Sequence, residues 1–256
     1  MARTTAILEQ TDLKASLRAV ARRSMKDIIA ERLATTIGSG ALAVGDPLPS
    51  ERELSRAMGV SRETIRGALL ILSTRGILSV AQGARTTVAS AEVGELGLRK
   101  VLPGMAEYAL DDVHEGRLLV EGRLARLAAA APEAKTLARL ADLVDEQRRA
   151  EDDPVRYLIL DREFHAVIYR SAGNQVLSDL AVTLYAYLLN HRRRAVSRPG
   201  AIARSIADHE AILAALRARD GAAAAAAFGV HERRIYETTL RLMRADGTPQ
   251  TGGDQP

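Results

Sequence analysis

Apolar residues recur at helical spacing along most of the chain, and a short β-prone stretch breaks the pattern in the first third. From Met25, the positions Ile28, Ile29, Leu33 and Ile37 mark one face of a helix that stops at Gly38-Ser39-Gly40. The loop Val44-Gly45-Asp46-Pro47-Leu48-Pro49 is too rich in Gly and Pro for regular structure. Ser50-Glu51-Arg52-Glu53 is a capping-box signature, in which Ser50 accepts from an orphan N–H of the first turn and Glu53 reaches back to the cap. A short helix follows with Leu54, Ala57 and Met58 inward, and Gly59 ends it. Ser61 caps a second helix whose apolar face is Ile65, Ala68, Leu69 and Leu72, closed by Gly76. Ile77–Val80 and Thr86–Val88 flank Gln82-Gly83-Ala84-Arg85 in the pattern of a hairpin.

Residues 89–96 have the character of a linker. Beyond them, 3.6-residue periodicity covers about 111–131, 133–150, 154–172, 175–196, 201–219 and 221–245, with room for a further short helix near 92–101. The breakers are Pro132, Asp153-Pro154, Gly173-Asn174, Pro199-Gly200 and Asp220-Gly221. So many one-sided helices predict an antiparallel bundle. The expected fold is mainly α: an N-terminal winged helix-turn-helix at 25–90, then an all-α bundle of six or seven helices at 91–246. Residues 1–24, polar and containing Arg22-Arg23, form a basic arm, and the Gly-rich segment 247–256 a disordered tail. A length of 256 residues suits two domains.

Composition narrows the class. A 47% hydrophobic content supports a folded core. The absence of Cys excludes a disulfide framework and a thiolate zinc site, and fits a reducing compartment. No run of about 18 apolar residues is long enough to span a bilayer, and Glu9, Asp12 and Lys14 interrupt what would be a signal-peptide core. A soluble, cytoplasmic protein without membrane partners is expected. Net charge is only +4, but residues 1–90 hold thirteen Lys and Arg against eight Asp and Glu. The cationic excess therefore sits on the segment read as a helix-turn-helix, as expected of a module that faces phosphate.

The second helix of such a unit enters the major groove N-terminus first. With Ile65 facing the core, Arg62, Glu63, Thr64 and Arg66 remain for DNA. Arg62 can fork onto guanine and Glu63 can accept from cytosine, while Ser61 and Thr64 hydroxyls suit phosphate. Arg52, on the preceding helix, can reach the backbone or a base edge. The same features also describe a merely solvated helix face. Leu48-Pro49-Ser50-Glu51-Arg52-Glu53-Leu54, then Gly59-Val60-Ser61-Arg62-Glu63-Thr64-Ile65-Arg66 and Gly76-Ile77-Leu78 with Gly83, closely resemble the GntR superfamily of bacterial transcription regulators. The resemblance implies Arg52, Arg62 and Arg66 as the main DNA contacts, and Ser61, Thr64 and Gly83 as further ones. Two positions depart from the family pattern. Gly67 stands in a helix where it costs roughly 1 kcal/mol relative to Ala. Arg85 stands where a second wing glycine is usual, placing a cation where a narrow minor groove attracts it.

The bundle carries a second constellation. Asp161 and His165 are four residues apart on one predicted helix and share a face. His209 and His231 lie within apolar patterns on two other helices. One carboxylate and three imidazoles suit zinc, nickel or another borderline divalent ion. The bland alternative is a set of hydrogen-bonded core histidines, with Asp161 paired to Arg162 or Arg117. Residues 111–245 resemble the FCD ligand-binding domain of FadR-type GntR regulators, through Arg117 with Glu121, Ala128-Ala129-Ala130, Asp161-Arg162-Glu163-Phe164-His165, Asp208-His209-Glu210 and His231. The resemblance to its metal-binding branch implies Asp161, His165, His209 and His231 as ligands, and Arg117 as an arginine facing the effector. His114 and His191 have no counterpart.

The expected function is ligand-responsive, sequence-specific DNA binding by a homodimer acting as a repressor, because one helix-turn-helix reads few bases and a two-fold pair reads a pseudo-palindromic operator. The effector expected is a small carboxylate or hydroxy acid bound at the metal. A metal-dependent enzyme on small organic acids, with Glu163 or Glu210 as base, is the rival, as is an architectural DNA binder. No nucleophile motif, phosphate-cradling glycine loop or HExxH supports an enzyme.

Overall fold

The computed structural model describes residues 24–80, 85–93, 108–187 and 189–245. The basic arm, the wing turn with Gly83, the helix near 92–101 and the tail lie essentially outside these residues.

The first group of elements is α1 (Met25–Gly38), α2 (Glu51–Met58), α3 (Arg62–Thr74), β1 (Leu78–Ser79) and β2 (Thr87–Val88). Ser24, expected in the arm, is the N-cap of α1 and forms a capping box with Asp27. At α2 the capping box is present as expected: the Glu53 amide donates to Ser50 Oγ (3.3 Å), and the Ser50 amide to Glu53 Oε2 (3.0 Å). Gly59 ends the helix at φ +65°, a left-handed conformation that favours glycine, and Ser61 Oγ then accepts from the Thr64 amide (3.1 Å). Ile29, Leu33, Ile37, Leu54, Ile65, Leu69 and Leu72 fill the core between the three helices. The strands pair antiparallel with Leu78 opposite Val88. The Gly- and Pro-rich loop joins them, because Pro47 bridges Thr87 and the Leu48 amide donates to the Thr86 carbonyl (2.8 Å). Its backbone groups are thus satisfied without a regular strand.

The second group is α4 (Leu110–Ala130), α5 (Ala134–Arg148), α6 (Pro154–Ser171), α7 (Gln175–Tyr187), α8 (Leu189–Val196), α9 (Ala201–Arg217) and α10 (Gly221–Ala245). The segment read as one helix over 175–196 is helical on both sides of residue 188, which is outside the described residues. Packing runs α4 on α10, α10 on α9, α9 on α5 and α5 on α6. Twelve residues of α6, from Tyr157 to Tyr169, are buried, including Asp161, Arg162, Glu163 and His165. A helix buried on all sides is normally apolar throughout. This one carries four ionisable side chains, each of which needs a partner.

Arg162 and Glu163 find theirs in the first group. Arg32 Nη1 donates to both Glu163 oxygens (3.1 and 3.3 Å), and Arg162 Nη1 donates to Thr36 Oγ1 (2.6 Å) and to the Arg32 carbonyl. Arg193 pairs with Asp46, Arg156 with Glu53 (3.1 Å) and Arg56 with Glu146 (3.6 Å), and Arg139 donates to the Ala57 carbonyl. Ion pairs and hydrogen bonds thus cross the contact between the two groups, whose buried apolar residues form one continuous cluster.

Gly67 lies in α3 against α1. A Cβ there would meet the exposed Lys26 side chain at 3.2 and 3.4 Å, a stem with freedom to yield. Gly67→Ala is therefore expected to stabilise the protein by about 0.5–1 kcal/mol in denaturant unfolding, the difference in helix propensity. Destabilisation would show that the Lys26 stem is held in place.

Candidate functional site

On the outer face of α3, Ser61, Arg62, Glu63 and Arg66 are exposed and Thr64 is half-buried, with Arg52 and Arg85 also exposed. Ser61 and Thr64 hydroxyls lie 2.9 Å apart. Arg66 forks onto Glu51, with Nε to Oε1 at 3.1 Å and Nη2 to Oε2 at 2.9 Å, and Arg62 Nη2 lies 3.8 Å from the same carboxylate. Hydrogen bonding from Arg66 holds the Glu51 carboxyl below the usual range. The sequence reading missed Glu51 in this role, although it follows the cap and lies in the first turn of α2. Gly83 is outside the described residues.

The second constellation assembles at the centre of the bundle. Asp161 and His165 from α6, His209 from α9 and His231 from α10 offer one ligand atom each, all within 4.8 Å of one another, and all four residues are fully buried. His165 Nε2 and His231 Nε2 are 3.2 Å apart, and His209 Nε2 lies 3.4 Å from Asp161 Oδ1. Tetrahedral ligands at zinc distances stand about 3.3 Å from one another.

Each imidazole is oriented from behind. Gln147 Oε1 faces His209 Nδ1 at 2.8 Å, Asp208 Oδ2 faces His231 Nδ1 at 3.5 Å, and the Tyr169 hydroxyl faces His165 Nδ1 at 3.2 Å. The acceptor Gln147 Oε1 at Nδ1 of His209 puts the proton there and turns the Nε2 lone pair inward. Burial, reinforced by the neighbouring imidazoles, holds His165 and His209 well below the ordinary histidine range, and burial lowers His231 as well, favouring the neutral form that binds metals. His209 Nε2 has no hydrogen-bond partner, an orphaned atom at the point of convergence. The residues present therefore fit a borderline divalent cation.

Asp161 pairs with neither Arg162 nor Arg117. Arg192 Nη2 donates to its Oδ1 (2.8 Å), Tyr157 to the same oxygen (3.2 Å) and Tyr185 to Oδ2. Burial alone would lower the Arg192 guanidinium, but Asp161 keeps it above its ordinary value. Arg192 and Tyr185 carried no signal in the sequence reading. Gln147 did carry one, being a polar residue on the apolar stripe Leu140, Leu143, Val144.

Arg117 is buried between two carboxylates, with Nε to Glu121 at 2.6 Å and Nη2 to Glu232 at 2.8 Å. Burial pushes the Glu232 carboxyl up to about 8. Arg117 Nη1 has no hydrogen-bond partner. The cavity beside the histidine cluster is lined by Arg192 and His231, and Arg117 is not on its wall. His114 stacks on Tyr236 with ring centres 4.2 Å apart, and the side chain of His191 is outside the described residues. Glu163 and Glu210, the bases of the enzymatic alternative, are paired with Arg32 and Arg148.

A winged helix-turn-helix joined to a helical domain with a buried polar centre defines a DNA-binding regulator with a ligand-binding body. Residues 26–88 match the bacterial regulatory proteins of the gntR family, and residues 112–234 match the FCD domain. The chain is 31% identical to the HTH-type transcriptional repressor NanR of Cronobacter sakazakii, over 89% of this chain and 90% of that protein. It is 34% identical to the Glc operon transcriptional activator of Escherichia coli over 61% of this chain and 64% of the other. The fold is similar to that of E. coli McbR/YncC, with a TM-score of 0.52 at 22% identity over 88% of this chain and all of the other. The chain belongs to the GntR family of transcription regulators, in its FadR-type, FCD-containing group. These relatives are regulators, not enzymes. Among the described residues no helix is long and apolar enough to cross a membrane.

Among the described residues, Arg192 is the one guanidinium bonded to Asp161. Arg192→Met is expected to destabilise the metal-free protein by about 3–5 kcal/mol, because it leaves a buried carboxylate uncompensated. Asp161→Asn combined with Arg192→Met should cost less than the single change in denaturant unfolding, and a strictly additive cycle would show that the two do not interact.

Proposed function

We propose that the protein is a cytoplasmic, homodimeric repressor whose helical domain, residues 91–246, holds a divalent metal, zinc or nickel, and releases a pseudo-palindromic operator when a small carboxylate or hydroxy acid binds there. The observation that carries the reading is the convergence of one carboxylate and three neutral imidazoles in a buried centre that opens, through His231 and Arg192, onto a cavity. Repression is supported by the name of the NanR relative, although a second relative is named as an activator.

Asp161, His165, His209 and His231 would hold the ion, which supplies open positions to a carboxylate. Arg192 lines the cavity beside them and donates toward an anion; Arg117 would act from behind the cluster through its free Nη1. On α6, Asp161 and His165 face the centre, while Arg162 and Glu163 between them grip α1 of the reading head. A small displacement of α6 on effector binding therefore bears on the contact that orients the head. The equilibrium shifts only by the difference in effector affinity between the two arrangements. At the DNA, Arg62 and Arg66 would read base edges. Ser61, Thr64 and Gly83 would contact phosphate, and Arg52, Glu63 and Arg85 would complete the footprint.

Operator selection from random DNA, repeated with the metal-loaded protein and organic acids, tests the whole reading; operator affinity that no acid changes would overturn it. Arg62→Ala is expected to cost about 1–3 kcal/mol of operator binding and to relax the sequence preference at its base. A loss uniform across sequences would place that side chain on phosphate. Dialysis against a chelator is expected to remove a stoichiometric divalent ion and to lower the melting temperature, as for any ligand that binds only the folded state. His209→Ala should show no such drop. Equal melting of the wild type with and without chelator would leave only a histidine cluster.

A further inference from the structure

Beside the histidine cluster, between α8, α9 and α10, lies a cavity of about 370 Å³, a volume suited to a small molecule. Its inner end is formed by His231 and by Arg192, a fully buried guanidinium whose Nε and Nη1 have no hydrogen-bond partner. Four more arginines line it: Arg198 after α8, Arg204 on α9, and Arg234 and Arg241 on α10. Asp208 is the one carboxylate on the wall, and Arg234 (2.6 Å) already engages it. Among the described residues, Arg198, Arg204 and Arg241 have no carboxylate within salt-bridge distance. The remaining wall is short and apolar, with Val196, Pro199 and Ile235.

The four outer guanidinium groups are exposed, and five arginines against one wall carboxylate leave the mouth of the cavity positively charged and attractive to an anion. A single carboxylate seated at the inner end would answer Arg192 and leave the outer cations unbalanced. Along α10, His231, Arg234, Thr238 and Arg241 follow one helical face, so successive cations stand about 5–15 Å beyond the inner end at 1.5 Å per residue. We infer that the effector carries, besides the carboxylate received at the inner end, a second anionic group that Arg198 and Arg204 receive. The ligand class is thus a short acid with two or more anionic groups, the second being a carboxylate or a phosphate. Both are planar or tripodal oxygen arrays that guanidinium forks bind in the same way. The inference rests on the acid-sensing reading above and adds to it the charge of the acid.

The test uses full-length, zinc-loaded protein and calorimetric titration at one fixed ionic strength, because screening would otherwise mix with the effect. Two matched pairs of acids are compared: lactate with malate, and gluconate with 6-phosphogluconate. At least one dianion is expected to bind about tenfold or more tightly than its monoanionic parent, and the pair that shows the gain identifies the second group. The double variant Arg198→Gln/Arg204→Gln, both positions exposed and outside the metal cluster, should lose that gain while binding the monoanion within about twofold of wild type. Equal affinities within both pairs, or a gain that survives in the double variant, overturn the inference and leave the acid-sensing reading standing. Absence of binding by all four acids overturns both.

Discussion

The structure of the helical body turns on one buried carboxylate. Asp161 sits without solvent among three imidazoles that burial keeps neutral. Such a charge is tolerated only with close partners. They come from three helices: Arg192 from α8, Tyr185 from α7 and Tyr157 from one turn earlier on α6. The histidines are anchored in turn by Gln147, Asp208 and Tyr169. Satisfying one negative charge thus fixes α6, α7 and α8 about a common centre, and the histidines with their anchors bring in α5, α9 and α10. Apolar packing alone would tolerate several rotations of these helices.

The same helix also ties the body to the reading head, through the residues that alternate with the cluster. Glu163 meets Arg32, and Arg162 meets Thr36 and the Arg32 carbonyl of α1. Burial lowers the Arg162 guanidinium to about 10, so its charge is held at real cost in this contact. Most of the remaining links between head and body are ion pairs with one half-exposed partner. These polar links run beside apolar contact, because the buried apolar residues of head and body form one continuous cluster.

On the DNA side the reading helix is not an open row of cations. Glu51 clamps Arg66 and attracts Arg62, so the guanidinium groups are oriented by the protein itself. An exposed pair of this kind contributes little to stability. Its effect is to limit the conformations that the Arg66 side chain samples.

Several features were legible in the chain because they arise within one or two turns. The capping box at Ser50, the stop at Gly59, the inward faces of α2 and α3, and the pairing of Asp161 with His165 on one face each depend on close neighbours in the chain. Periodicity also marked the helices of the body, since each must bury one stripe. Missing from that reading were the partners: Arg192 to Asp161 at a separation of 31 residues, Gln147 to His209 at 62, and Arg32 to Glu163 at 131. Those pairings follow from how rigid helices rotate and settle against one another, which is a property of the assembled core. For the same reason Arg117, which the family resemblance assigns to the effector, is locked between Glu121 and Glu232, while Arg192, inconspicuous in a run of basic residues, lines the cavity.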